Sequence, residues 1–206
     1  MILVAVIAIV AAYLIGSLSG GLILGRFFGQ GDLRTSGSGN AGATNALRAG
    51  GRGYGLSVLL FDLIKGTVAG GLVPWLVAAA PPLAFTCGAV AVIGHVWPVF
   101  FGFRGGKGAA TGVGVLLVLL PGALIMGAAV WIAVLVASGF VGLATMLGMV
   151  GVALACLFAP AATGAAKVFV VFITVLIVYT HRGNIARMRA GTENRFSRIM
   201  FWRRDS

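Results

Sequence analysis

Long apolar segments, separated by short connections that hold almost all of the charge, are the feature that most constrains this chain. Its 206 residues include only 15 Lys or Arg and 4 Asp or Glu, whereas 60% are hydrophobic. A soluble domain carries roughly 25% charged residues, so this chain cannot cover a surface that faces water. The 33 glycines suit helices that pack closely in lipid. We therefore predict an all-α, polytopic integral membrane protein, and we exclude a cytosolic enzyme, a disordered chain and a disulfide scaffold.

Seven segments are candidates for membrane-spanning helices, and prolines at 81–82, 121 and 160 separate several of them. A span needs about 20 residues, so the short fourth and fifth segments could instead form a re-entrant hairpin beside five full spans. The first segment precedes the first cation, Arg26, which is the wrong order for a cleaved signal peptide, so we expect it to be retained. The segments cover residues 1–25, 54–80, 83–103, 108–120, 123–137, 143–159 and 161–180.

The basic residues predict the orientation in the membrane. With seven spans, thirteen of the 15 cations fall in the first connection, the third connection or the tail, which all lie on one face. The positive-inside rule makes that face cytoplasmic, with the N-terminus outside and a basic cytoplasmic tail at 181–206. We expect residues 1–206 to form a single transmembrane domain. The net charge of +11 favours lipid headgroups or phosphorylated substrates over nucleic acid as partners.

A polar, glycine-rich stretch in the first connection has the composition of a phosphate-binding loop. It reads Ser36-Gly37-Ser38-Gly39-Asn40-Ala41-Gly42-Ala43-Thr44-Asn45-Ala46-Leu47-Arg48. Glycines let successive backbone N–H groups face one anion, and the hydroxyl, amide and guanidinium groups add donors. The alternative is a flexible polar connection. The stretch also contains Gly-x-Gly-x-x-Gly, but a dinucleotide site needs a βαβ unit, which the apolar flanks exclude.

The third connection contains a second candidate anion site. Arg104 and Lys107 flank Gly105-Gly106, and we predict that a helix begins after Gly108. Two cations beside the free N–H groups of a helix start suit an anion. The alternatives are a positive-inside anchor for the loop and an ordinary buried histidine for His95.

A third polar stretch, residues 181–193, follows the last apolar segment. His181, Asn184 and Arg187 recur at three-residue steps, so one helical face could present all three. The alternative is an amphipathic tail that binds lipid headgroups.

A few polar residues also lie inside the apolar segments. Asp62 and Lys65 are spaced i and i+3, and we interpret them as a structural ion pair that could shape the polar end of the site. Cys87 and Cys156 lie in apolar runs with no metal-ligand spacing, so we expect neither a metal nor another cofactor.

The three stretches together resemble the bacterial membrane family of acyl-phosphate:glycerol-3-phosphate acyltransferases, over nearly the whole chain. The matching motifs are Ser-Gly-Ser-Gly-Asn-x-Gly-Ala-Thr-Asn at 36–45 with Arg48, Gly94-His95-x-x-Pro98 through Gly105-Gly106-Lys107-Gly108, and His181-Arg182-x-Asn184-Ile185-x-Arg187 with Gly191-x-Glu193. One place departs from the family pattern, where Phe140 and Gly142 replace a Tyr and a Ser. Ser138 and Thr145 could substitute for them.

The resemblance implies a reaction in phospholipid biosynthesis. A long-chain acyl phosphate and glycerol 3-phosphate would give 1-acylglycerol 3-phosphate (lysophosphatidic acid) and phosphate, at the cytoplasmic face of the bacterial inner membrane. It implies no acyl-CoA or acyl carrier protein as direct donor, and no nucleic acid partner. Apart from membrane lipids, the expected partners are these two substrates.

We expect Ser38, Lys107 and His181 to act at the reacting centre. Another class of glycerolipid acyltransferases pairs a His with an Asp across four residues, but Phe100 and Ala186 occupy the corresponding positions here. We therefore favour direct attack by the glycerol hydroxyl, with its proton taken by a substrate phosphate or by an unassisted histidine. The expected acyl-phosphate ligands are Gly39, Asn40, Gly42, Ala43, Thr44 and Asn45. Those expected for glycerol 3-phosphate are Arg48, Lys107, His181 and Asn184. The expected supporting residues are His95, Arg104, Gly105, Gly106, Thr145, Arg187 and Glu193.

Two other functions stay open at this point. A transporter of a phosphorylated solute or anion would need polar groups at mid-membrane depth, which this chain lacks apart from Asp62 and Lys65. A purely structural membrane anchor would not need three stretches of phosphate-binding character.

Overall fold

The computed structural model describes residues 2–77 and 81–196. In this part of the chain, ten α-helices form two compact units, Met1–Leu119 and Leu120–Ser206. The first unit contains α1 (Ile2–Gly16), α2 (Gly20–Phe27), α3 (Ala43–Thr67), α4 (Val73–Leu76), α5 (Pro81–Val96) and α6 (Ala109–Leu119). The second contains α7 (Pro121–Ser138), α8 (Val141–Leu157), α9 (Gly164–Thr180) and α10 (Arg182–Arg189).

All seven predicted apolar segments are helical, which confirms the all-α class. Among the described residues, three stretches are long and apolar enough to cross a membrane: Ala43–Leu76, Pro81–Phe101 and Pro121–Ser138. Two bent pairs, α1 with α2 and α9 with α10, raise the number to five, and α6 and α8 are shorter apolar helices. The fourth segment is short, since α6 has 11 residues, but α7 in the fifth has 18. The count of seven spans and the orientation stay predictions.

The first apolar segment is bent, whereas the sequence predicted one continuous span. α1 ends at Gly16, α2 begins at Gly20, and the two helices meet at 45°. α1 packs so closely on α5 that a Cβ atom at Gly16 would collide with the carbonyl group of Ala91. This close backbone approach is the role expected of glycine in a membrane bundle.

The helix α3 is interrupted near its start. Gly50 and Gly51 have non-helical backbone angles, and the φ of 79° at Gly51 suits glycine alone. Residues 43–49 therefore form a short helix of their own, which carries Asn45 and Arg48. After Thr67 the chain continues through a π-helical turn, Val68–Leu72, into α4. Pro74 lacks the N–H group that a regular turn would use, which accounts for the wider turn before it.

The helices of the second unit pack in chain order. α8 contacts both α7 and α9, and α10 contacts α8 and α9. The Trp131 indole donates to the Thr145 hydroxyl at 3.3 Å and joins α7 to α8. Thr163 caps the start of α9 by accepting from the backbone N–H of Ala166 at 3.2 Å. His181 lies at the joint between α9 and α10. The predicted tail beyond Phe196, including Arg198, Arg203 and Arg204, lies outside the described residues.

Candidate active site

The side chain of Asn45 organises the glycine-rich loop. Its Nδ2 atom donates to the carbonyl oxygens of Leu33, Ser36 and Asn40, each at 3.0 Å. Its Oδ1 atom accepts from the backbone N–H of Ser38, also at 3.0 Å. The side chain is 1% exposed. Its polar atoms are therefore used inside the loop, whereas the sequence suggested that they would face a phosphate.

Glycines set the path of the same loop. Gly37 and Gly39 adopt positive φ angles of 57° and 69°, and a Cβ atom at Gly37 would collide with the Asn45 side chain. The loop ends at Gly42, so the N–H groups of Ala43 and Thr44 lie in the first helical turn, where a helix offers no internal acceptor. The side chains of Ser38 and Thr44 are half-buried, and that of Arg48 is exposed. The loop thus combines backbone donors, hydroxyl groups and a cation.

The Gly105-Gly106 pair ties the second loop to the end of α5. The Gly105 N–H donates to the Val96 carbonyl and the Gly106 N–H to the His95 carbonyl, both at 3.1 Å. Cβ atoms would collide with the His95 carbonyl at Gly105 and with the His95 ring at Gly106. These two amides are therefore engaged within the chain. The remaining donors of the expected anion site are Lys107, Arg104 and the N–H groups in the first turn of α6. Lys107 is half-buried and Arg104 is exposed.

A buried charged cluster contacts this loop through His95. The Lys65 ammonium lies 2.8 Å from Nδ1 of His95 and 2.9 Å from Oδ1 of Asp62, and all three side chains are at most 4% exposed. With Lys65 protonated, its ammonium group can only donate, so Nδ1 of His95 accepts from it and the ring proton is assigned to Nε2. Asp62 comes within 3.5 Å of His95 Nδ1, a contact that no local spacing indicated. With that assignment the His95 ring does not donate to Asp62, so the contact differs from the histidine–carboxylate pair of a general base.

The Asp62–Lys65 ion pair also stabilises the bend between α1 and α2. Lys65 donates to the Leu18 carbonyl at 2.6 Å, and Asp62 accepts from the Gly20 N–H at 3.4 Å. A cation thus faces the carbonyl end of α1, and a carboxylate faces the amide end of α2, which are the favourable pairings with the two helix dipoles. The predicted structural ion pair is confirmed.

Asp32 and Arg34 form an ion pair that the sequence patterns did not indicate. The Arg34 guanidinium binds both oxygens of Asp32, with a shortest distance of 2.6 Å, and its Nη1 atom donates to the carbonyls of Phe101 and Arg104 at 2.8 and 3.2 Å. The hydrogen bond from Arg34 holds the pKa of the Asp32 carboxyl below its usual range, and the same bond raises the pKa of Arg34. The Asp-Leu-Arg spacing was the available signal, but nothing local pointed to a partner 67 residues away.

His181, in the second unit, forms a hydrogen bond through Nδ1 to the end of α9. Its Nδ1 atom lies 2.7 Å from the carbonyl of Ile177, so Nδ1 donates and the acceptor lone pair is on Nε2. The residue is 5% exposed. A neutral His181 ring in this tautomer accepts a proton at Nε2.

Glu193 connects two of the expected site residues. Its carboxylate accepts from Asn184 Nδ2 at 2.9 Å and from Arg187 Nε at 2.7 Å, and the Glu193 side chain is 4% exposed. The three-residue spacing of Asn184 and Arg187 thus serves one shared carboxylate. Gly142 packs on this group, because a Cβ atom there would lie 2.8 Å from Asn184 Nδ2. The glycine that departs from the family pattern fits this position of Asn184.

The two hydroxyl groups near the departing stretch donate to backbone carbonyls of their own helices. Ser138 donates to the Val134 carbonyl at 2.7 Å, and Thr145 donates to the Val141 carbonyl at 2.8 Å and accepts from Trp131. Of the two, Thr145 joins α8 to α7 through Trp131. These contacts lend no support to Ser138 and Thr145 substituting for the missing Tyr and Ser.

The expected site residues come from both units. The first unit holds Ser38, Gly39, Asn40, Gly42, Ala43, Thr44, Asn45, Arg48, His95, Arg104, Gly105, Gly106 and Lys107, and the second holds Thr145, His181, Asn184, Arg187 and Glu193. Within the first unit, the Arg34 side chain links the glycine-rich connection to the connection that carries Lys107.

The matching family model, the similar relatives and the similar solved structures all carry the same family name. A family model described as glycerol-3-phosphate acyltransferase matches residues 6–191. Relatives of that name from Brucella anthropi and Desulforudis audaxviator are each 43% identical, covering 91% and 95% of this chain and 91% and 97% of their own lengths. The crystal structure of PlsY (YgiH), an integral membrane glycerol 3-phosphate acyltransferase, in its glycerol 3-phosphate form matches 93% of this chain and 95% of that one. Its TM-score is 0.87 at 35% identity. The lysphosphatidic acid form of PlsY matches with a TM-score of 0.84 at 34% identity.

Proposed function

The chain belongs to the glycerol-3-phosphate acyltransferase family, and from this premise we propose that it transfers a fatty acyl group from acyl phosphate to the 1-hydroxyl of glycerol 3-phosphate. The products would be 1-acylglycerol 3-phosphate and inorganic phosphate, in the first acylation of phospholipid synthesis. The observation that carries the proposal is the family match over residues 6–191, which contains both glycine-rich loops and the His181–Asn184 segment. The crystallised relative in glycerol 3-phosphate and lysphosphatidic acid forms supports the acceptor and the product.

An acyl-phosphate donor suits the chemistry of this site. Acyl phosphate is a mixed anhydride with a good leaving group, so the protein needs to supply position and charge rather than a covalent intermediate. The acceptor hydroxyl oxygen attacks the acyl carbon, the carbon–oxygen bond to phosphate breaks, and phosphate departs. The histidine–aspartate pair of the other acyltransferase class has no counterpart here, since Phe100 and Ala186 occupy the positions of its carboxylate, which supports this simpler route.

The glycine-rich loop is the proposed cradle of the acyl phosphate. Its donors would be backbone N–H groups between Gly39 and Thr44 and the hydroxyl groups of Ser38 and Thr44. Asn45 contributes indirectly, because it fixes the loop that carries these donors. The electrostatic gain from such preorganised donors is largest where they face developing charge.

Glycerol 3-phosphate is assigned to four cations and polar groups. We propose Arg48, Lys107, His181 and Asn184 as its ligands, an assignment that rests on the sequence resemblance. Lys107 would also neutralise the departing phosphate. The proton of the attacking hydroxyl goes to a substrate phosphate or to His181 Nε2, which the hydrogen bond at Nδ1 keeps in the accepting form.

The membrane arrangement is part of the same proposal. We infer seven spans, an outside N-terminus, a cytoplasmic C-terminus and an active site at the cytoplasmic face of the bacterial inner membrane. We also interpret residues 1–206 as one acyltransferase domain, because the family match runs from residue 6 to residue 191.

A transfer assay in detergent tests the function. Purified protein with palmitoyl phosphate and glycerol 3-phosphate should release phosphate and form 1-acylglycerol 3-phosphate, whereas palmitoyl-CoA should not replace the donor. Equal turnover with palmitoyl-CoA would refute the donor assignment. A protein that only transports would form no acylated product in this assay, and its own activity could be measured only in a sealed vesicle.

A further inference from the structure

One guanidinium group joins the two loops of the first unit. Nη1 of Arg34 donates to the carbonyls of Phe101 and Arg104, while Nε and Nη2 bind the Asp32 carboxylate at 2.9 and 2.6 Å. The rigid fork of arginine can satisfy a carboxylate on one edge and carbonyl groups on the other, which the point charge of lysine cannot. We call this set of contacts the Asp32–Arg34 clamp.

On one side, the clamp is anchored in the apolar core beside the glycine-rich loop. Leu33, between the two charged residues, is 2% exposed and packs with Ala46, Tyr54 and Val58. Its carbonyl accepts from Asn45 Nδ2 at 3.0 Å. The position of Arg34 is therefore tied to the same side chain that shapes the loop from Ser36 to Thr44.

On the other side, the clamp grips a strained turn. Gly102 and Phe103 adopt φ angles of 64° and 58°, and Phe103 is the one non-glycine residue with positive φ among those the structure describes. A non-glycine residue holds that conformation only when its surroundings impose it. The Phe103 N–H donates to the Pro98 carbonyl at 2.9 Å, and Arg34 binds the carbonyls on either side of the left-handed pair. Lys107 follows three residues after Arg104.

We propose that the Asp32–Arg34 clamp is a positioning device that fixes the loop carrying Lys107 relative to the loop carrying Ser38 and Thr44. The inference rests on the proposed function, because those loops are assigned to the two substrates. Transfer between two bound substrates depends on their mutual placement, and a displacement of about 1 Å can cost on the order of 10²-fold in rate. Loosening the clamp should therefore impair the reaction step while each loop keeps its own shape.

The clamp should matter little for global stability. The side chains of Arg34 and Asp32 are 24% and 39% exposed, and ion pairs with that access to solvent contribute little to folding. A positioning role thus predicts a rate effect that exceeds any stability effect, which separates it from a structural one.

Hydrogen exchange tests whether the clamp holds the turn. In the full chain in detergent, Arg34→Lys keeps the charge that orients the protein in a membrane but loses the fork. Peptides over residues 101–107 should exchange roughly tenfold faster in this variant, because carbonyl contacts that restrain the turn are lost. The matched control is Arg26→Lys, an exposed cation in the last turn of α2, which should leave these peptides unchanged. Exchange equal to that of the unaltered protein would overturn the proposal.

Steady-state kinetics test whether the turn must be held. In Arg34→Lys, kcat should fall by about tenfold while the KM for each substrate changes less than about threefold. A loss confined to KM would make Arg34 a substrate ligand and overturn the proposal, as would a kcat equal to that of Arg26→Lys. If Arg34→Lys does not fold, Asp32→Asn is the second variant, because it removes the charge that holds one edge of the Arg34 fork. Exchange over residues 101–107 should then rise and kcat fall by smaller factors, and no change in either would overturn the proposal.

The two proposals fail in distinguishable ways. Absence of transfer by the unaltered protein would refute the proposed function, whereas the exchange comparison would still decide whether Arg34 holds the turn.

Discussion

At the scale of single residues, Asn45 shows how one amide determines the shape of a binding loop. It is buried and joins the backbone of Leu33, Ser36, Ser38 and Asn40. From sequence alone its amide was interpreted as a phosphate donor, because residue type and neighbourhood do not reveal where a side chain points. Its contacts make it a residue that shapes the loop.

Asn45→Asp should destabilise the protein. The substitution replaces a donor with a carboxylate oxygen that faces three carbonyl oxygens, and each buried polar group left unsatisfied costs about 1–3 kcal/mol. The melting temperature in detergent should fall by roughly 5 °C or more. Asn40→Asp, on the same loop but half-buried, is the control for the added charge. An equal shift in both variants would contradict the role of Asn45.

Lys107→Ala should lower kcat by about 10²-fold or more, the scale for removing one preorganised group that faces developing charge. Arg26→Ala, which removes an exposed cation from the same unit, should cost little. Melting in detergent verifies that both variants fold, and phosphate release measures turnover. If a folded Lys107→Ala variant were as active as Arg26→Ala, the Gly-Gly-Lys loop would be a membrane anchor rather than part of the site.

At the scale of elements, the bend between α1 and α2 depends on charges from α3. Asp62 and Lys65 each contact one end of the bend, at sequence separations of 42 and 47 residues. A helix end inside an apolar environment needs partners for its free backbone groups. The ion pair provides two of them.

Lys65→Met should be much more destabilising than removal of the whole pair. The single change leaves Asp62 charged and buried without its partner, which costs about 3–5 kcal/mol. The double variant Asp62→Asn, Lys65→Met should recover a large part of that loss. Thermal melting of the two single variants and the double variant measures the coupling, and additive losses would show that the pair does not act as a unit.

The predictability of each element follows from how local its determinants are. The apolar helices follow from composition and from the prolines between them, and the turns at Gly37 and Gly39 follow from glycine itself. Three features depend on partners at least 30 residues away in the chain: the bend at residues 17–19, the contact between His95 and Asp62, and the bonds from Arg34 to the loop that carries Lys107. No local pattern contains those distances.

At the scale of the whole molecule, the charge distribution leads to a test of orientation. Single cysteines at Ser36 and Thr192, both exposed, should react with an impermeant reagent only from the cytoplasmic side, and one at Pro82 only from the outside. The native Cys87 and Cys156 are buried and should not react. Labelling of Ser36→Cys and Thr192→Cys from opposite sides would refute the predicted parity. Ser197, which would serve the same test, lies outside the described residues.

The interruption at Gly50–Gly51 has a consequence for how the length of this chain can vary. Each residue added inside an α-helix rotates everything beyond it by about 100°, so an insertion between Tyr54 and Asp62 would turn the ion pair away from Leu18 and Gly20. An insertion beside Gly51 enters backbone that is already non-helical, at a position where a Cβ atom would meet no neighbour within 4 Å. Alanine insertions at the two places should differ accordingly in melting temperature. The break would then allow the chain to change in length without altering the orientation of Asp62 and Lys65.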